Sequence, residues 1–409
     1  MKRQRPGWLL ERLAGALQRK LSAAAVQLEL WDGQIRYSGP HPPIGALVVD
    51  DARTLRGLLF NPNLRFGEAY MAGRLRVRGE LEPVLEAVSR LSPTMTWREW
   101  FSQYLSVGNS PSRARENVHH HYDLGNDFYR GWLDEQLLYT CAYFEHPDVS
   151  LEEAQRAKMD LVCRKVRLRP GDTVVEAGCG WGALALHMAR AYGARVKAFN
   201  VSREQIAYAR ARAAREGLAG QVEFIDDDYR NAQGECDVFV SVGMLEHVGL
   251  AHYDSLSAVL RRVVRRATGR GLLHFIGRDF RRPLNAWIRR RIFPGAYAPT
   301  LAEVTTRVLT PARMSVLDVE NLRLHYARTL RHWSGRFAAM EGQVRARYGE
   351  EFRRAWELYL AGSEAAFAVS SLQLFQIVFS PAEAPPPYWS RTEVYRGVET
   401  ADQWFAATR

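Results

Sequence analysis

One turn in the sequence has the residue types and spacing to hold a nucleoside cofactor. Three glycines at alternate positions, Gly178, Gly180 and Gly182, follow the apolar pair Val174-Val175 and precede a helical pattern. Glycines in such a turn let backbone N–H groups approach a ligand closely. Related glycines also occur where a helix only packs against a strand, so the turn alone leaves both interpretations open.

A carboxylate before this turn narrows the class of ligand. Glu176 lies two residues before Gly178, where methyltransferases commonly place an acid near the amino-acid end of S-adenosylmethionine (SAM). No Gly-Lys-Ser/Thr follows the turn, which disfavours a phosphate-cradling loop. The turn therefore favours SAM.

A second contact to the cofactor is expected after the next strand, where nucleotide-binding sheets often place an acid for the ribose hydroxyls. The position is Asn200 here, and Gln205 lies on the first turn of the following helix. Side-chain amides can also bond to hydroxyls. Alternatively, Asn200 and Ser202 cap that helix, and the sequence leaves both interpretations open.

Ionisable residues accompany two further strands. Glu246 follows the apolar run Val238–Val242, and His274 shares a strand face with Ile276. Open α/β sheets keep their active sites at the carboxyl ends of strands. A buried Glu246 would need a partner or a bound ion, whereas an isolated strand histidine is more often a satisfied core residue.

The surrounding pattern predicts the fold that positions these residues. Strand-like runs alternate with helical ones from residue 174 onward, at Val174, Arg195 to Phe199, Val222 to Ile225, Val238 to Val242 and Leu272 to Ile276. This alternation predicts an α/β, Rossmann-like sheet that is mostly parallel and binds ligands at its carboxyl edge.

A smaller α+β domain is predicted before residue 110. The runs Val26–Leu30 and Ile35 to Tyr37 flank Asp32-Gly33, a strong hairpin signal. Gly108 to Ser112 is typical of an exposed connection, so we assign residues 1–110 to an accessory domain and 111–409 to a catalytic domain. Prolines between Ser380 and Tyr388 predict a C-terminal extension with little regular structure.

Composition limits the class of protein. The 409 residues, 47% of them hydrophobic, are enough for two packed cores. The longest apolar runs fall short of the roughly 20 residues that a spanning helix needs, and no signal-peptide pattern is present, so a cytosolic protein is expected. Four cysteines without Cys-x-x-Cys or zinc-ligand spacing predict neither a disulfide framework nor a metal site.

The charge predicts attraction to an anionic polymer or surface. The formal net charge is +11, and no RRM, KH or zinc-finger signature accompanies it. A helix after Pro6 would place an apolar face beside a basic flank, the apolar residues being Trp8, Leu9, Leu10, Leu13 and Leu17 and the basic ones Arg12, Arg19 and Lys20. Such a helix suits a membrane surface or packs on its own domain, and the sequence leaves both open.

Several motifs in consistent order resemble the family of cyclopropane-fatty-acid synthases and mycolic acid methyltransferases. They extend from about residue 117 to 380 and comprise His121-Tyr122-Asp123-Leu124-Gly125-Asn126, Thr140-Cys141-Ala142-Tyr143-Phe144, Gly178-Cys179-Gly180-Trp181-Gly182, Val242-Gly243-Met244-Leu245-Glu246-His247-Val248-Gly249, Leu273-His274-Phe275-Ile276-Gly277 and Trp287-Ile288 with Ile292-Phe293-Pro294. The N-terminal part resembles the accessory domain of longer bacterial synthases, with less specific motifs.

The resemblance implies transfer of a methyl group from SAM to a cis double bond in a phospholipid acyl chain, followed by proton loss and ring closure. It also implies a bound bicarbonate as proton acceptor, at positions matching Cys141, Glu246, His274, the backbone of Ile276, and Tyr326. Cys141 would then be a ligand or wall, not a nucleophile; the alternative is a buried small hydrophobe.

The resemblance places the cofactor at Tyr139, Thr140, Glu176, Gly178, Gly180, Gly182, Asn200, Gln205, Tyr229 and Arg230. For Tyr229 the alternative is ordinary core. This sequence departs from the family pattern at four places, and the last two leave the acyl-chain and head-group preference open. Glu176 replaces a common Asp, Ser363 replaces a cysteine, Ala368-Val369-Ser370-Ser371 replaces an Arg-rich segment, and Phe375 replaces a Trp.

The implied partners are unsaturated phospholipid acyl chains and an anionic membrane surface, with no nucleic acid. The expected location is the cytoplasm, peripherally on the inner face of the cell membrane, and a homodimer is kept as an option. Rival functions are a methyl or methylene branch in place of the ring, methyl transfer to an amine, lipid binding without catalysis, and nucleic-acid methylation. Intact SAM and ion positions argue against lipid binding alone.

Overall fold

A computed structural model describes residues 8–91 and 124–395, with the side chain of Leu9 left out. The described residues form two compact units. The first contains the residues up to Leu91 together with 282–294 and 326–372, and the second contains 124–281, 295–325 and 373–395. The predicted domain boundary near residue 110 lies outside the described residues and stays a prediction.

The first unit contains a four-stranded sheet in the order β2-β1-β3-β4. Its strands are β1 (Val26–Leu30), β2 (Ile35–Arg36), β3 (Gly45–Val49) and β4 (Leu75–Arg78). The predicted hairpin is confirmed, because β1 and β2 pair antiparallel with Leu28 opposite Arg36. The helices of this unit are Trp8–Ala23, Ala52–Phe60, Pro62–Met71, Leu81–Arg90, Ala286–Arg291, Arg323–Ala339 (which begins in the second unit), Glu341–Tyr348 and Glu350–Ala368.

The N-terminal helix packs on its own unit. Ala14 and Leu21 are buried in the core of the first unit, and Leu10 and Leu17 pack against the same core. Trp8 remains 72% exposed. The apolar face predicted from the sequence is therefore largely used within the unit, while the basic flank stays exposed.

The second unit is built on a seven-stranded sheet in the order β10-β11-β9-β8-β5-β6-β7. The strands are β5 (Thr173–Ala177), β6 (Arg195–Asn200), β7 (Val222–Asp226), β8 (Val238–Val242), β9 (Arg270–Gly277), β10 (Met314–Asn321) and β11 (Gln373–Pro381). The five strands adjacent in the order β9-β8-β5-β6-β7 are parallel. Strand β11 runs antiparallel to both β9 and β10. The predicted Rossmann-like sheet is confirmed.

The order of the strands locates the ligand edge. The chain leaves β5 toward β6 on one side, and it leaves β8 toward β9 on the other. Open α/β sheets bind ligands in the crevice that this reversal creates beyond the carboxyl ends of the strands. The helices around this sheet are Asn126–Arg130, Leu151–Lys165, Ala183–Tyr192, Arg203–Arg215, Leu245–Val248, Tyr253–Val263, Leu301–Val304 and Thr392–Tyr395.

The C-terminal extension differs slightly from the expectation. Ser380 and Pro381, predicted to begin the irregular segment, are the last residues of β11. Proline is tolerated at this end because it lies where the strand stops. Irregular backbone follows until the short helix Thr392–Tyr395.

Within the described ranges, no helix is both long and apolar enough to cross a membrane. All four cysteines lie within the described residues, where they are buried and form no disulfide. Over residues 8–91 and 124–395, no group of three or more His, Cys, Asp or Glu side chains could hold a metal ion.

Candidate active site

The three glycines of the turn after β5 have different surroundings. All three have positive φ, at 83°, 54° and 85° for Gly178, Gly180 and Gly182. A Cβ on Gly178 would lie 2.9 Å from Met244 Cβ, and one on Gly182 would lie 2.6 Å from Phe224 Cζ. A Cβ on Gly180 would meet no described atom within 4 Å. The outer glycines therefore serve packing, and Gly180 leaves room for a ligand.

Asn200 ties the end of β6 to this turn. Its Nδ2 donates to the Gly180 carbonyl at 3.2 Å and to Gln205 Oε1 at 2.7 Å. Ser202 caps the following helix by accepting from the Gln205 backbone N–H at 3.4 Å. The capping interpretation is thus correct for Ser202, while Asn200 and Gln205 lie together beside the turn.

Glu176, near the end of β5, is a buried carboxyl. It is 3% exposed, and its Oε2 has no hydrogen-bond partner among the described residues. Burial raises the pKa of Glu176 to about 8, and the charge of Lys158 opposes this rise. A buried carboxylate without a donor is costly, so this oxygen is suited to a positively charged ligand group.

Lys158 is a functional candidate that the sequence analysis missed. Its side chain is fully buried, and its Nζ donates to Thr140 Oγ1 at 2.8 Å. Burial lowers its pKa to about 8, against the charges of Asp134, Cys141 and Glu176. The helical period contained the signal, because Lys158 lies four residues after Ala154 and seven after Leu151, on the apolar face of the helix Leu151–Lys165.

The segment that precedes this helix brings two predicted cofactor residues near the sheet edge. A Cβ on Gly243, just after β8, would lie 2.7 Å from Thr140 Cγ2, so the segments around Gly243 and Thr140 approach closely there. The Tyr129 ring lies 5.7 Å from the Tyr139 ring and 5.1 Å from the ring of Trp181, so Tyr139 lies close to the glycine turn. Trp181, within the glycine turn, donates from Nε1 to Asn126 Oδ1 at 2.6 Å. The motif residues His121 to Asp123 lie outside the described residues.

Glu246 is the second residue of the short helix Leu245–Val248 after β8, and it is 6% exposed. Its Oε1 accepts from the Ile276 backbone N–H at 2.6 Å, whereas its Oε2 has no partner in the part of the chain described. Burial raises its pKa to about 7, and the backbone hydrogen bond opposes this rise. The Ile276 N–H, a predicted ligand of the ion, is thus engaged by Glu246 itself.

His274 lies beside this carboxyl on the neighbouring strand. Val242, at the end of β8, pairs with His274, and the Gly243 N–H donates to the His274 carbonyl at 2.8 Å. The ring is 2% exposed; Nδ1 lies 3.0 Å from Gln376 Nε2, and Nε2 contacts no hydrogen-bonding group of the described chain. Burial, with the charges of Lys158 and Lys165, holds its pKa well below the usual range.

Two other predicted ion ligands stand differently. Cys141 is fully buried, and its Sγ lies 3.1 Å from the Ala142 carbonyl. Tyr326 belongs to the first compact unit, where its ring lies 4.5 Å from Phe367. The approach of Tyr326 to the other ligands therefore stays a prediction.

Tyr229 and Arg230 form a short turn after β7. Tyr229 lies in the core beside the sheet, yet its hydroxyl finds no partner within the described ranges. The Arg230 guanidinium is 5.7 Å from its ring and pairs with Asp228 at 3.4 Å. Burial raises the pKa of Tyr229 to about 12. The hydroxyl is a donor available to a ligand at neutral pH.

The carboxyl ends of β5, β8 and β9 thus share one chemical property. Each presents a buried polar atom that lacks a partner among the described residues, namely Glu176 Oε2, Glu246 Oε2 and His274 Nε2. Proteins pair nearly all buried polar atoms, so such a cluster indicates a polar ligand. An open glycine and a carboxyl fit the amino-acid end of SAM. An imidazole beside a carboxyl with a raised pKa, whose neutral form is accessible near pH 7, fits a small oxyanion.

Comparison with known proteins identifies relatives of this chain. A probable fatty acid methyltransferase of Pseudomonas putida is 36% identical over 387 residues, which cover 91% of this chain and 96% of that protein. The cyclopropane-fatty-acyl-phospholipid synthase of Escherichia coli K12 is 38% identical over 262 residues, 64% of this chain and 66% of the relative. A solved mycolic acid cyclopropane synthase complexed with SAH and CTAB has a TM-score of 0.61 at 31% identity, covering 65% of this chain and 97% of that one.

Two families match the chain in succession. Residues 14–96 match a domain family of unknown function. Residues 109–377 match the mycolic acid cyclopropane synthetase family. The chain therefore belongs to the mycolic acid cyclopropane synthetase family, a family of SAM-dependent methyltransferases of lipid acyl chains.

Proposed function

We propose that this protein uses SAM to methylenate cis double bonds in the acyl chains of membrane phospholipids, forming cyclopropane fatty acids, with bound bicarbonate as proton acceptor. One observation carries the proposal: the buried Glu246 Oε2 and His274 Nε2 lack partners in the described chain and lie on neighbouring strand ends, beside a turn with room for a cofactor at Gly180.

The cofactor residues divide the work of binding. We assign the close approach of the cofactor to Gly180, where a Cβ would meet open space, and a hydrogen bond from its ammonium group to the unpartnered Oε2 of Glu176. We assign contacts with the ribose hydroxyls to Asn200 and Gln205, which bond to each other, and contacts with the adenine ring to Tyr229 and Arg230. We assign Tyr139, Thr140, Gly178 and Gly182 to the walls of this site.

The residues of the ion site must stabilise a bound anion next to the apolar acyl chain of the substrate. When bound, SAM supplies an electrophilic methyl group and bicarbonate supplies an oxygen that can take a proton. A charged Glu246 would repel an anion, but burial raises its pKa to about 7, so the neutral form is accessible at physiological pH. His274 is uncharged there because burial depresses its pKa, and it can donate one hydrogen bond.

A second candidate function is methyl transfer that leaves a methyl or methylene branch. The relative in Pseudomonas putida is named as a probable fatty acid methyltransferase, which favours this alternative. Both outcomes share the first step and differ in how the proton is lost. The unpartnered atoms of Glu246 and His274 support ring closure, since a proton acceptor bound to them would lie close to the proposed acyl chain.

Lipid analysis tests both candidates. The protein is expressed in a host that has unsaturated phospholipids, and their acyl chains are examined by mass spectrometry. We expect a gain of one CH2 unit with loss of the alkene. The same gain with the alkene retained would indicate the branched product, and no gain in the presence of SAM would contradict both functions. The Glu246→Gln variant is the matched control.

We also propose that the enzyme acts while bound peripherally to the inner face of an anionic membrane. The N-terminal helix leaves Trp8, Arg12, Arg19 and Lys20 exposed. Each cation near an anionic surface contributes on the order of 1 kcal/mol. The option of a homodimer can be tested by light scattering of the same preparation.

Vesicle sedimentation tests this membrane proposal. Reversal of Arg12, Arg19 and Lys20 to Glu should weaken binding to anionic vesicles roughly tenfold or more, since three attractive charges become repulsive. The control reverses three exposed cations of the second unit, Arg195, Lys197 and Arg215, with the same change in net charge. High salt should weaken binding of the parent protein. Equal loss in both triple variants would contradict a specific role for the helix.

A further inference from the structure

A buried chain of side chains leads away from His274. His274 Nδ1 lies 3.0 Å from Gln376 Nε2, and Gln376 Oε1 accepts from Lys165 Nζ at 2.6 Å. Lys165 also donates to Glu320 Oε2. Gln376 and Lys165 are fully buried, while the Glu320 side chain is 24% exposed. This series of hydrogen-bonded side chains thus connects His274, a residue of the proposed ion site, with the partly exposed carboxylate of Glu320.

The chemistry of the donors fixes the direction of every hydrogen bond in this chain. An ammonium group donates and never accepts, so the Gln376 atom that faces Lys165 must be its carbonyl oxygen. The Gln376 amide NH2 then faces His274 and donates to Nδ1. A ring nitrogen that accepts carries no proton, so the proton of the neutral ring is on Nε2.

Pairing with Glu320 favours the charged ammonium form of Lys165, which can only donate hydrogen bonds. Lys165 is buried, which lowers its pKa, but the carboxylate of Glu320 favours the charged ammonium. Tyr395 donates to the same Glu320 oxygen at 2.8 Å. Breaking a buried pair by removing one partner is strongly destabilising, so the ion pair is well suited to hold Gln376 in one orientation.

The protonation of His274 Nε2 determines which hydrogen bonds the ring can form with a ligand. His274 Nε2 is buried and has no hydrogen-bond partner among the described residues. With the proton on this atom, the ring offers a single donor and no acceptor toward the ion site. It can bind an oxyanion but cannot take a proton from the substrate.

We propose that Lys165 and Gln376 are positioning residues that fix His274 as the Nε2–H tautomer, so that His274 is a donor to a bound oxyanion and not the base. This inference rests on the proposed function for the identity of the oxyanion, and on the geometry alone for the tautomer. We assign Lys165 and Gln376 no contact with substrate or cofactor, because they act through the imidazole of His274.

The tautomer can be measured without turnover. The full-length protein is labelled with 15N in its histidine rings, and His274 is assigned by comparison with the His274→Gln variant. The 15N shifts of a protonated and an unprotonated ring nitrogen differ clearly. We expect a protonated Nε2 and an unprotonated Nδ1 in the parent protein. A protonated Nδ1 would overturn the proposal, whatever reaction the enzyme performs.

The Gln376→Glu variant tests the positioning role. A carboxylate at this place can accept from Lys165 but cannot donate, so His274 should move its proton to Nδ1 and turn an unprotonated nitrogen toward the ion site. Loss of one hydrogen bond to a charged group should raise the bicarbonate concentration for half-maximal activity roughly tenfold to hundredfold. SAM affinity should not change, which also shows that the variant is folded. An unchanged tautomer in the folded variant would overturn the proposal.

A second background separates positioning from a general structural effect. Gln at position 274 has no tautomer to set, so adding Gln376→Glu to His274→Gln should cost little more than His274→Gln alone. Equal losses in both backgrounds would contradict action through the imidazole. If the parent protein shows the expected tautomer yet forms no modified lipid, the proposed function fails while the assignment of Lys165 and Gln376 stands.

Discussion

Glu176 and Glu246 are two buried carboxyls at neighbouring strand ends, and their surroundings differ in one respect. Each has an oxygen without a partner in the described chain. The charge of Lys158 favours the ionised form of Glu176 and so lowers its pKa, whereas backbone hydrogen bonds, one of them from the Ile276 N–H, lower the pKa of Glu246. The pKa is about 8 for Glu176 and about 7 for Glu246.

The difference suggests separate roles for two chemically identical side chains. An incoming ammonium group would add a second positive charge beside Glu176 and favour its ionised form. An incoming anion would instead favour the neutral form of Glu246, which could then donate a hydrogen bond. We therefore expect Glu176 to act in cofactor binding and Glu246 in the handling of the proton.

The largest expected effect is on turnover in Glu246→Gln. Gln can still accept from the Ile276 N–H, but it cannot exchange a proton, so turnover should fall by a factor on the order of 10²–10⁴. SAM binding should be unchanged by calorimetry. Depletion of bicarbonate should slow the parent more than the variant. The control is Glu223→Gln, an exposed carboxylate on β7. Unchanged turnover, under conditions where chemistry limits the rate, would remove Glu246 from the mechanism.

A substitution in the glycine turn tests cofactor binding, the role that we assign to Glu176. Gly180→Val should weaken SAM binding roughly tenfold to hundredfold, because overpacking costs a few kcal/mol and the side chain would fill the open space. The matched control is Gly217→Val, since Gly217 also has positive φ and open space around its Cβ. Both variants carry similar backbone strain. Equal affinities for SAM in the two folded variants would mean that Gly180 lies away from the cofactor.

Glu176→Gln should affect binding and not the proton step. Loss of a carboxylate that accepts from an ammonium group should lower SAM affinity roughly tenfold. Turnover at saturating SAM should fall much less than in Glu246→Gln. Calorimetry and kinetics on the two variants together make the test. If Glu176→Gln binds SAM normally and loses turnover instead, the roles assigned to the two carboxyls are reversed.

The smallest expected effect is on stability against pH. Each folded pKa lies above the ordinary value of 4.5, so the folded state binds the proton more tightly than the unfolded state. The resulting stability is present below pH 4.5 and is lost as pH rises through the folded pKa. The melting temperature of each Gln variant should therefore rise relative to the parent by a few degrees with increasing pH.

The two windows distinguish the carboxyls. The relative gain should level off near pH 7 for Glu246→Gln and continue to about pH 8 for Glu176→Gln. Thermal unfolding of the ligand-free protein is the measurement. Groups that do not interact with the substituted carboxyl cancel in the difference between variant and parent, whereas Lys158 responds to the charge of Glu176 and contributes to the Glu176→Gln difference. A constant difference from pH 5 to 8 would show that neither carboxyl has a raised pKa.

Much of the sheet could be predicted because its strands are short apolar runs bounded by turns. Val238–Val242 has the predicted bounds, and β9 extends the predicted strand by a few residues. Glu246 and His274 could be placed at strand ends for the same reason. Lys158 and Lys165 were missed because lysines are almost never fully buried without a partner, and their partners are distant in sequence. Thr140 lies 18 residues before Lys158, and Gln376 lies 211 residues after Lys165.

The roles of the glycines could be predicted only in part. Spacing alone indicated a ligand turn. The neighbours that make Gly178 and Gly182 packing residues are Met244, which follows β8, and Phe224, which lies in the middle of β7. A sequence pattern does not contain those distances. The position of Tyr326 relative to the ion site remains a prediction for a related reason, since it lies in the other compact unit.

The path of the chain between its two compact units limits how the protein could have been assembled by recombination. The chain passes from one unit to the other five times, and residues 282–294 and 326–372 pack with the N-terminal portion. Within that unit, a Cβ on Gly67 would lie 2.3 Å from Trp287 Cγ, and Arg354 donates to the Tyr70 carbonyl. A foreign N-terminal module would therefore need surfaces matched to two later segments, so exchange of this part requires coordinated changes in three stretches of the gene.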